Sequence, residues 1–107
     1  MTVLFHPEFP GDIRKFEVSY LPVSKGLAAR FRKEVEDAVE AIQTSPRSAG
    51  HLLGHPTSVP GETRRRNLRD FPFFVLYGIV DDRLIFGAII PSRSDPLTWL
   101  VRFSGKE

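Results

Sequence analysis

Arginine is the residue type in this sequence best suited to chemistry on an anionic partner. The chain has 107 residues and a formal net charge of +2, and Arg64, Arg65 and Arg66 are consecutive. Acidic residues exceed basic ones by one up to Glu62, whereas basic residues exceed acidic ones by three from Thr63 onward. Guanidinium groups form bidentate contacts with carboxylates and phosphates. The C-terminal half is therefore suited to an acidic partner, although a charge of +2 does not by itself demand nucleic acid.

Cleavage of RNA through its 2′-hydroxyl is one reaction that such arginines could support. The reaction needs cations for the phosphate and groups that accept and donate a proton. The candidate cations are Arg64, Arg65, Arg93 and Arg102. Arginine releases its proton poorly near neutral pH, and Tyr20 and Tyr77 lie in apolar periodic segments typical of a core. His6 is the other candidate for proton transfer, and it is isolated at the end of a strand. The sequence therefore favours binding over catalysis.

A metal or cofactor site is not predicted. His51 and His55 have the i,i+4 spacing of helical metal ligands. Gly54 and Pro56 beside them argue against a helix, and no third ligand is apparent. The sequence has no cysteine, which excludes disulfides, thiolate ligands and a cysteine nucleophile.

Length and composition predict one domain spanning residues 1–107. Hydrophobic residues make up 41% and charged residues 26%, as in ordinary soluble proteins. The first residues lack the pattern of a signal peptide. The longest apolar run, Phe71–Val80, is too short to span a bilayer. A cytoplasmic protein without a membrane segment is therefore expected.

Two helices are predicted in the first half, after a strand at Thr2–Phe5. Residues 9–12 (Phe-Pro-Gly-Asp) are interpreted as a turn in which Asp12 caps a short first helix that Pro22 ends. The second helix is predicted from about Ser24 to Thr44, because apolar residues recur there at intervals of three and four. Its apolar stripe consists of Leu27, Phe31, Val35, Ala38, Val39 and Ile42.

The second half reads as a sheet, after a stretch from residue 45 to 62 whose role, functional or mobile, stays open. Thr63–Leu68 is an Arg-rich strand candidate near an edge. Strand alternation would place Arg65 on the opposite face from Arg64 and Arg66. Residues 73–80 and 83–90 are nearly continuous apolar runs typical of strands buried on both faces.

The turn Asp81-Asp82 between these runs fits a two-residue hairpin loop. The resulting register places Tyr77 opposite Phe86, Gly78 opposite Ile85 and Gly87 opposite Leu76. Pro91 is expected to stop the last of these strands, and residues 97–103 form a further strand or a helical turn. The fold class is therefore α+β, with an N-terminal strand, a helical hairpin and an antiparallel meander. Its two helices pack on a twisted, mostly antiparallel sheet.

The order of these segments resembles the RelE/ParE superfamily, the toxins of bacterial type II toxin–antitoxin pairs. The likeness is nearest to the ParE-like plasmid-stabilisation branch. It covers most of the chain, and the segments that carry it are Phe5-His6-Pro7-Glu8, the second-helix set from Tyr20 and Gly26-Leu27 to Ile42 and Pro46, the run Arg64-Arg65, Leu68, Phe71-Pro72-Phe73 and Tyr77, and the closing Asp95-Pro96, Trp99 and Arg102.

The sequence departs from the family pattern at three places. Pro91 stands where the family usually has His, which removes a general acid or base. Phe73 replaces the Tyr of the Phe-Pro-Tyr run, and Pro10-Gly11 is an insertion expected to shorten the first helix.

The resemblance implies a growth-inhibiting toxin neutralised by a cognate antitoxin whose tail wraps over it. ParE-like members bind and inhibit DNA gyrase, and this is the preferred hypothesis. The alternatives are a RelE-like ribosome-dependent mRNA endoribonuclease, which would use Arg65, Arg93 and Arg102, and an inactive toxin-fold protein that only pairs with a partner.

Partner binding is expected to involve residues of the C-terminal half, in a hetero-oligomer with the antitoxin. The candidates are Arg64, Arg66, Arg93, Trp99 and Arg102. An acidic antitoxin segment is expected to dock near Arg64–Arg66 or along the helical hairpin. For Trp99, a place in the core is favoured over an exposed interface anchor.

Overall fold

The computed structural model of the protein describes residues 1–53 and 61–103. Within these ranges the chain forms strands, helices and one 3₁₀-helix in a mixed α+β order. The elements are β1 (Thr2–Phe5), α1 (Phe9–Tyr20), α2 (Lys25–Thr44), β2 (His51–Leu52), β3 (Glu62–Asn67), β4 (Phe73–Val80), β5 (Arg83–Pro91) and the 3₁₀-helix Pro96–Phe103.

The strands form one five-stranded sheet in the order β1-β5-β4-β3-β2. Strand β1 runs parallel to β5, and every other neighbouring pair is antiparallel. The predicted α+β class with a mostly antiparallel sheet is confirmed. Strand β3, expected near an edge, is flanked by the two-residue strand β2, which lies within the stretch whose role the sequence left open.

Helix α2 begins and ends where the sequence predicts. Ser24 is its N-cap, and its Oγ accepts a hydrogen bond from the Leu27 backbone N–H at 3.2 Å. Its buried residues are Ala28, Phe31, Val35, Ala38 and Ile42. Leu27 and Val39, predicted to be buried, are only half-buried and border the same core cluster.

Helix α1 differs from its prediction at the N-terminus. It begins at Phe9 with Glu8 as N-cap, so that Pro10 and Gly11 lie in its first turn. Proline is tolerated there because the first N–H groups of a helix have no intrahelical partner. The predicted turn over residues 9–12 and the cap at Asp12 are therefore wrong, and Asp12 lies inside the helix.

The β4–β5 hairpin confirms most of the predicted register. Asp81 and Asp82 form a two-residue loop in which Asp81 has a φ of 56°, as the tight turns of hairpins require. Tyr77 pairs with Phe86 as predicted. Leu76 pairs with Ala88 rather than Gly87, because a register shift between Leu76 and Tyr77 leaves Gly87 without a direct partner.

Both faces of the sheet are covered, which explains why all eight residues of β4 are buried. The two helices cover one face, where Val75, Tyr77 and Phe86 meet the apolar side of α2. The tail from Pro96 to Phe103, for which strand and helical turn were both open, is a 3₁₀-helix on the other face. No helix in the described ranges has the length and apolar character to cross a membrane.

Candidate functional site

Two of the predicted partner-binding arginines bind the chain that follows α2. The Arg64 Nη1 donates to the backbone carbonyls of Arg47 and Gly50, both at 2.9 Å. The Arg66 Nη1 donates to the carbonyl of Ala49 at 2.7 Å. Arg64 and Arg66 lie on the helix-facing side of β3, because they pair with Tyr77 and Val75 in the core cluster under the helices. Their guanidinium groups hold the loop after α2 in place.

Tyr77 completes this arrangement from the neighbouring strand. Its hydroxyl donates to the carbonyl of Pro46 at 2.6 Å, and burial raises the pKa of its phenol. Arg64, Arg66 and Tyr77 are together called the loop clamp below. A Cβ at Gly50 would lie 2.5 Å from the Tyr77 hydroxyl, so the loop can approach the clamp only with glycine there.

Glu62 adds a carboxylate to the edge of the loop clamp. Its Oε1 accepts from the Arg64 Nε at 2.9 Å, and its Oε2 accepts from the Arg47 Nε at 3.0 Å. These hydrogen bonds from Arg64 and Arg47 lower the pKa of the Glu62 carboxyl. Arg64 is therefore neutralised inside the fold, and a charge reversal at this position would disturb the loop before it disturbed a partner.

Arg65 lies on the opposite face of the sheet, as strand alternation predicts. Its guanidinium carbon stands 3.7 Å from the centroid of the Phe74 ring. Its Nε and Nη2 donate to the Asn67 Oδ1 at 3.2 and 2.8 Å. The partner group is neutral, and with this edge on Asn67 and one face of the guanidinium on Phe74, the Nη1 group is left to donate to an anion.

His51 was missed as a neighbour of Arg65 by the sequence interpretation. It pairs directly with Arg65 across β2 and β3, so the two side chains project from the same face. The register could have been found only if β2 had been predicted in the proline- and glycine-rich stretch. His55, the other member of the considered metal pair, lies outside the described residues.

Arg102 is bound in a network at the outer edge of β5. Its Nη1 donates to the Asp12 Oδ2 at 2.8 Å and to the carbonyl of Gly87 at 2.7 Å. The same Asp12 oxygen accepts from the Ile89 N–H at 3.1 Å. Strand β1 pairs only with the first half of β5. Beyond the end of β1, Asp12 and Arg102 bind backbone groups of β5 at Ile89 and Gly87 instead. With its side chain 12% exposed, Arg102 is fixed in the fold.

Of the four arginines considered for RNA cleavage, Arg64 belongs to the loop clamp, and Arg65, Arg93 and Arg102 lie at different places on the sheet. Arg65 projects from β3, whereas Arg102 binds the far edge of β5, two strand spacings or about 10 Å away. Arg93 is exposed in the turn after β5. Trp99 is half-buried against the apolar cluster on the second face of the sheet, so it covers a core cluster as favoured from the sequence.

An apolar groove opens between β1, the start of α1 and the second half of α2. Its volume is about 390 Å³. The lining residues are Phe5, Phe9, Pro10, Ile13, Val35, Glu36 and Val39. Val39 lines the groove on α2 and is therefore only half-buried. The sequence predicts its whole apolar stripe to be buried.

Strand β1 is an edge strand whose apolar side chains remain accessible. Val3, Leu4 and Phe5 are 39%, 40% and 46% exposed. The Thr2 N–H donates to the carbonyl of Asp82, just before β5, and the His6 N–H donates to the carbonyl of Phe86. Alternate backbone groups of β1 therefore point away from the sheet. Phe5 belongs both to this edge and to the groove, which makes them one continuous surface.

The fold is shared with a solved structure. A chain from the chromosomal ParDE TA system from P. aeruginosa superimposes with a TM-score of 0.68 over 85% of this chain and 95% of that chain. The two sequences are 18% identical, so the likeness is one of fold. Comparison with family models and with curated proteins gives no match.

Proposed function

We propose that this protein is the toxin of a toxin–antitoxin pair, ParE-like in its action, and that a cognate antitoxin neutralises it. The observation that carries the proposal is the shared fold with a chain of a ParDE TA system, over nearly the whole length of that chain. A likeness of fold also admits a protein that only pairs with its partner, and the experiment below separates the two.

The preferred target is DNA gyrase, bound without RNA cleavage. Support comes from the separation of the basic residues, because Arg102 is committed to Asp12 and lies about two strand spacings from Arg65. Phosphodiester cleavage requires cations and proton-transfer groups around one phosphate. Arg93 is exposed and is the candidate for contact with the target. A protein that acts on gyrase works in the cytoplasm, so the proposal places this protein there.

Ribosome-dependent mRNA cleavage is the second candidate, and one contact favours it. Arg65 carries an aromatic-stacked guanidinium, and His51 projects beside it from the paired strand. An imidazole can move protons near neutral pH where an arginine cannot. This pair would have to bind the phosphate and accept the 2′-hydroxyl proton without help from Arg102.

Controlled expression in a bacterial host distinguishes these functions. We expect growth arrest with signs of DNA damage, relief by co-expression of the protein encoded beside this gene, and loss of supercoiling by purified gyrase. Primer extension on abundant transcripts should give no codon-associated cuts. Cuts that disappear in Arg65→Ala or Arg93→Ala but persist in the control Arg83→Ala, with gyrase unaffected, would make the protein a ribonuclease. Unimpaired growth would leave only the pairing role.

A further inference from the structure

The turn between α1 and α2 exposes apolar side chains on an ordered backbone. Val18, Leu21 and Val23 are 52%, 46% and 71% exposed. The N–H of Leu21 donates to the carbonyl of Val18 at 3.2 Å. The N–H groups of Val23 and Ser24 both donate to the carbonyl of Tyr20 at 3.0 Å. The three apolar residues, called the interhelical tip below, are therefore held in position before any partner binds.

The Tyr20 ring anchors the interhelical tip to the core. Its centroid lies 5.6 Å from that of Phe31 and 5.2 Å from that of Phe71. Because Phe71 precedes β4 by two residues, the tip lies at the end of the sheet where β4 begins and β5 ends. Accessible apolar clusters mark interaction surfaces, and an ordered surface loses little conformational entropy when it binds.

Cations border the interhelical tip on both helices. Arg14 is exposed one turn before Val18 on the same side of α1, and Lys25 is the first residue of α2. Among the described residues, neither cation binds a carboxylate. The first turn of α2 contains no acidic residue, although the helix dipole favours one there. Lys25 therefore adds positive charge at a position where it does not stabilise its own helix.

Further arginines lie at this end of the sheet. The Arg30 guanidinium carbon stands 6.0 Å from the centroid of the Phe71 ring. Arg30 and Arg69 share the carboxylate of Asp70, at 3.9 and 3.6 Å. Arg93 is exposed in the turn that follows β5. One carboxylate thus serves two guanidinium groups beside the tip.

The carboxylates on the two helices nearest the tip are bound within the fold. Glu17 accepts from the Arg32 Nη1 at 2.8 Å. Glu34 accepts from the backbone N–H groups of Arg69 and Asp70. The cations around the tip therefore keep their charge for a partner, and electrostatic complementarity favours a partner surface that carries carboxylates.

The shape of the tip determines the kind of partner. A flexible segment binds in a groove or along the edge of a sheet. Side chains that project from a turn between two helices are enclosed only by a concave surface, which a folded protein provides.

We propose that the interhelical tip is the surface by which this protein binds its target, inserting Val18, Leu21 and Val23 into an apolar pocket bordered by aspartate or glutamate. The proposal rests on the proposed function, which supplies a target protein, and it adds the part of this chain that the target contacts. Pro10 of the apolar groove lies about 16 Å from Leu21 along α1. The groove and the β1 edge therefore stay open while the tip is bound.

Lys25→Glu separates target binding from folding. It introduces the acidic residue that the helix dipole favours at this position, so the urea midpoint should rise slightly. In a supercoiling assay with purified gyrase, the protein concentration for half-inhibition should rise about 3- to 10-fold at low salt. The difference should shrink as ionic strength rises. Arg83→Glu, exposed at the opposite end of β5, changes the net charge equally and should leave inhibition unchanged.

Val18→Ser combined with Val23→Ser tests the apolar contact. Both side chains are exposed, so the urea midpoint should stay unchanged, while the concentration for half-inhibition should rise at least about 10-fold at every salt concentration. Leu52→Ser, at a residue 57% exposed in β2, is the matched control. Isothermal titration calorimetry should show that all four variants bind the protein encoded beside this gene as tightly as the wild type.

Two results would overturn the proposal: inhibition of gyrase that neither tip variant weakens, or an equal loss of binding to the neighbouring gene's product. If the wild type leaves gyrase unaffected, growth arrest on expression is the readout, because it does not depend on which protein is the target. Arrest by the tip variants as strong as by the wild type then contradicts the inference alone. A wild type that causes no arrest contradicts the proposed function, and the inference with it.

Discussion

Gly87 and Phe103 provide the sharpest test of how the C-terminal 3₁₀-helix is held on the sheet. The Phe103 ring lies on a floor made by two glycines of adjacent strands, Gly78 and Gly87. A Cβ at Gly87 would stand 2.5 Å from the Phe103 Cζ and 3.1 Å from both Cε atoms. We therefore expect Gly87→Ala to push the ring off the sheet by about 1 Å.

The size of the effect follows from the packing around the ring. Overfilling a packed site typically costs about 1–3 kcal/mol of unfolding free energy. Phe103→Ala alone should cost about 3 kcal/mol, the lower end for buried phenylalanine, since the ring is 7% exposed near the end of the described chain. In the Phe103→Ala background, Gly87→Ala should leave the unfolding free energy unchanged or raise it. Alanine restricts the unfolded chain more than glycine does, so less conformational entropy is lost on folding.

Urea unfolding of the wild type, the two single variants and the double variant measures this coupling. A double-mutant cycle isolates the interaction between two residues in contact, and we expect at least about 1 kcal/mol. Gly26→Ala is the matched control: its Cβ would meet only the Ser24 Oγ, at 3.5 Å, so no destabilisation is expected. If Gly87→Ala costs the same with and without the Phe103 ring, the clash with that ring is not the reason for glycine.

Three other substitutions test the core, the loop clamp and the edge of β5. Phe31→Ala should lower the unfolding free energy by about 3–5 kcal/mol in urea titrations, because the fully buried ring packs against Phe71 and Phe73. Burial raises the pKa of Tyr77, so its contribution to stability is complete below about pH 10 and is lost as the pH rises through the folded-state pKa. Tyr77→Phe should flatten that alkaline loss in unfolding curves across this range, and an unchanged slope would contradict the assignment. Arg102→Met should cost about 1–3 kcal/mol, because Asp12 and the Gly87 carbonyl lose a charged donor. Faster amide exchange confined to the outer edge of β5 would locate that loss.

Local patterns in the sequence determined the elements that form largely by themselves. The second helix was predictable because its apolar residues repeat with the helical period and Ser24 supplies a cap. The β4–β5 hairpin was predictable because two apolar runs flank a two-residue turn. Together with their order along the chain, these elements also determined the α+β class, since amphipathic helices and apolar strands must cover one another.

Tertiary structure alone decided what the charged residues do. Asp12 satisfies every local rule for a helix cap, yet it binds Ile89 and Arg102, which lie 77 and 90 residues further along the chain. The loop clamp likewise depends on carbonyls 17 and 14 residues away from Arg64. A guanidinium binds whichever carbonyl or carboxylate the fold brings within about 3 Å, and residue type does not encode that distance. The apolar groove has the same origin, because it exists only where β1, α1 and α2 meet.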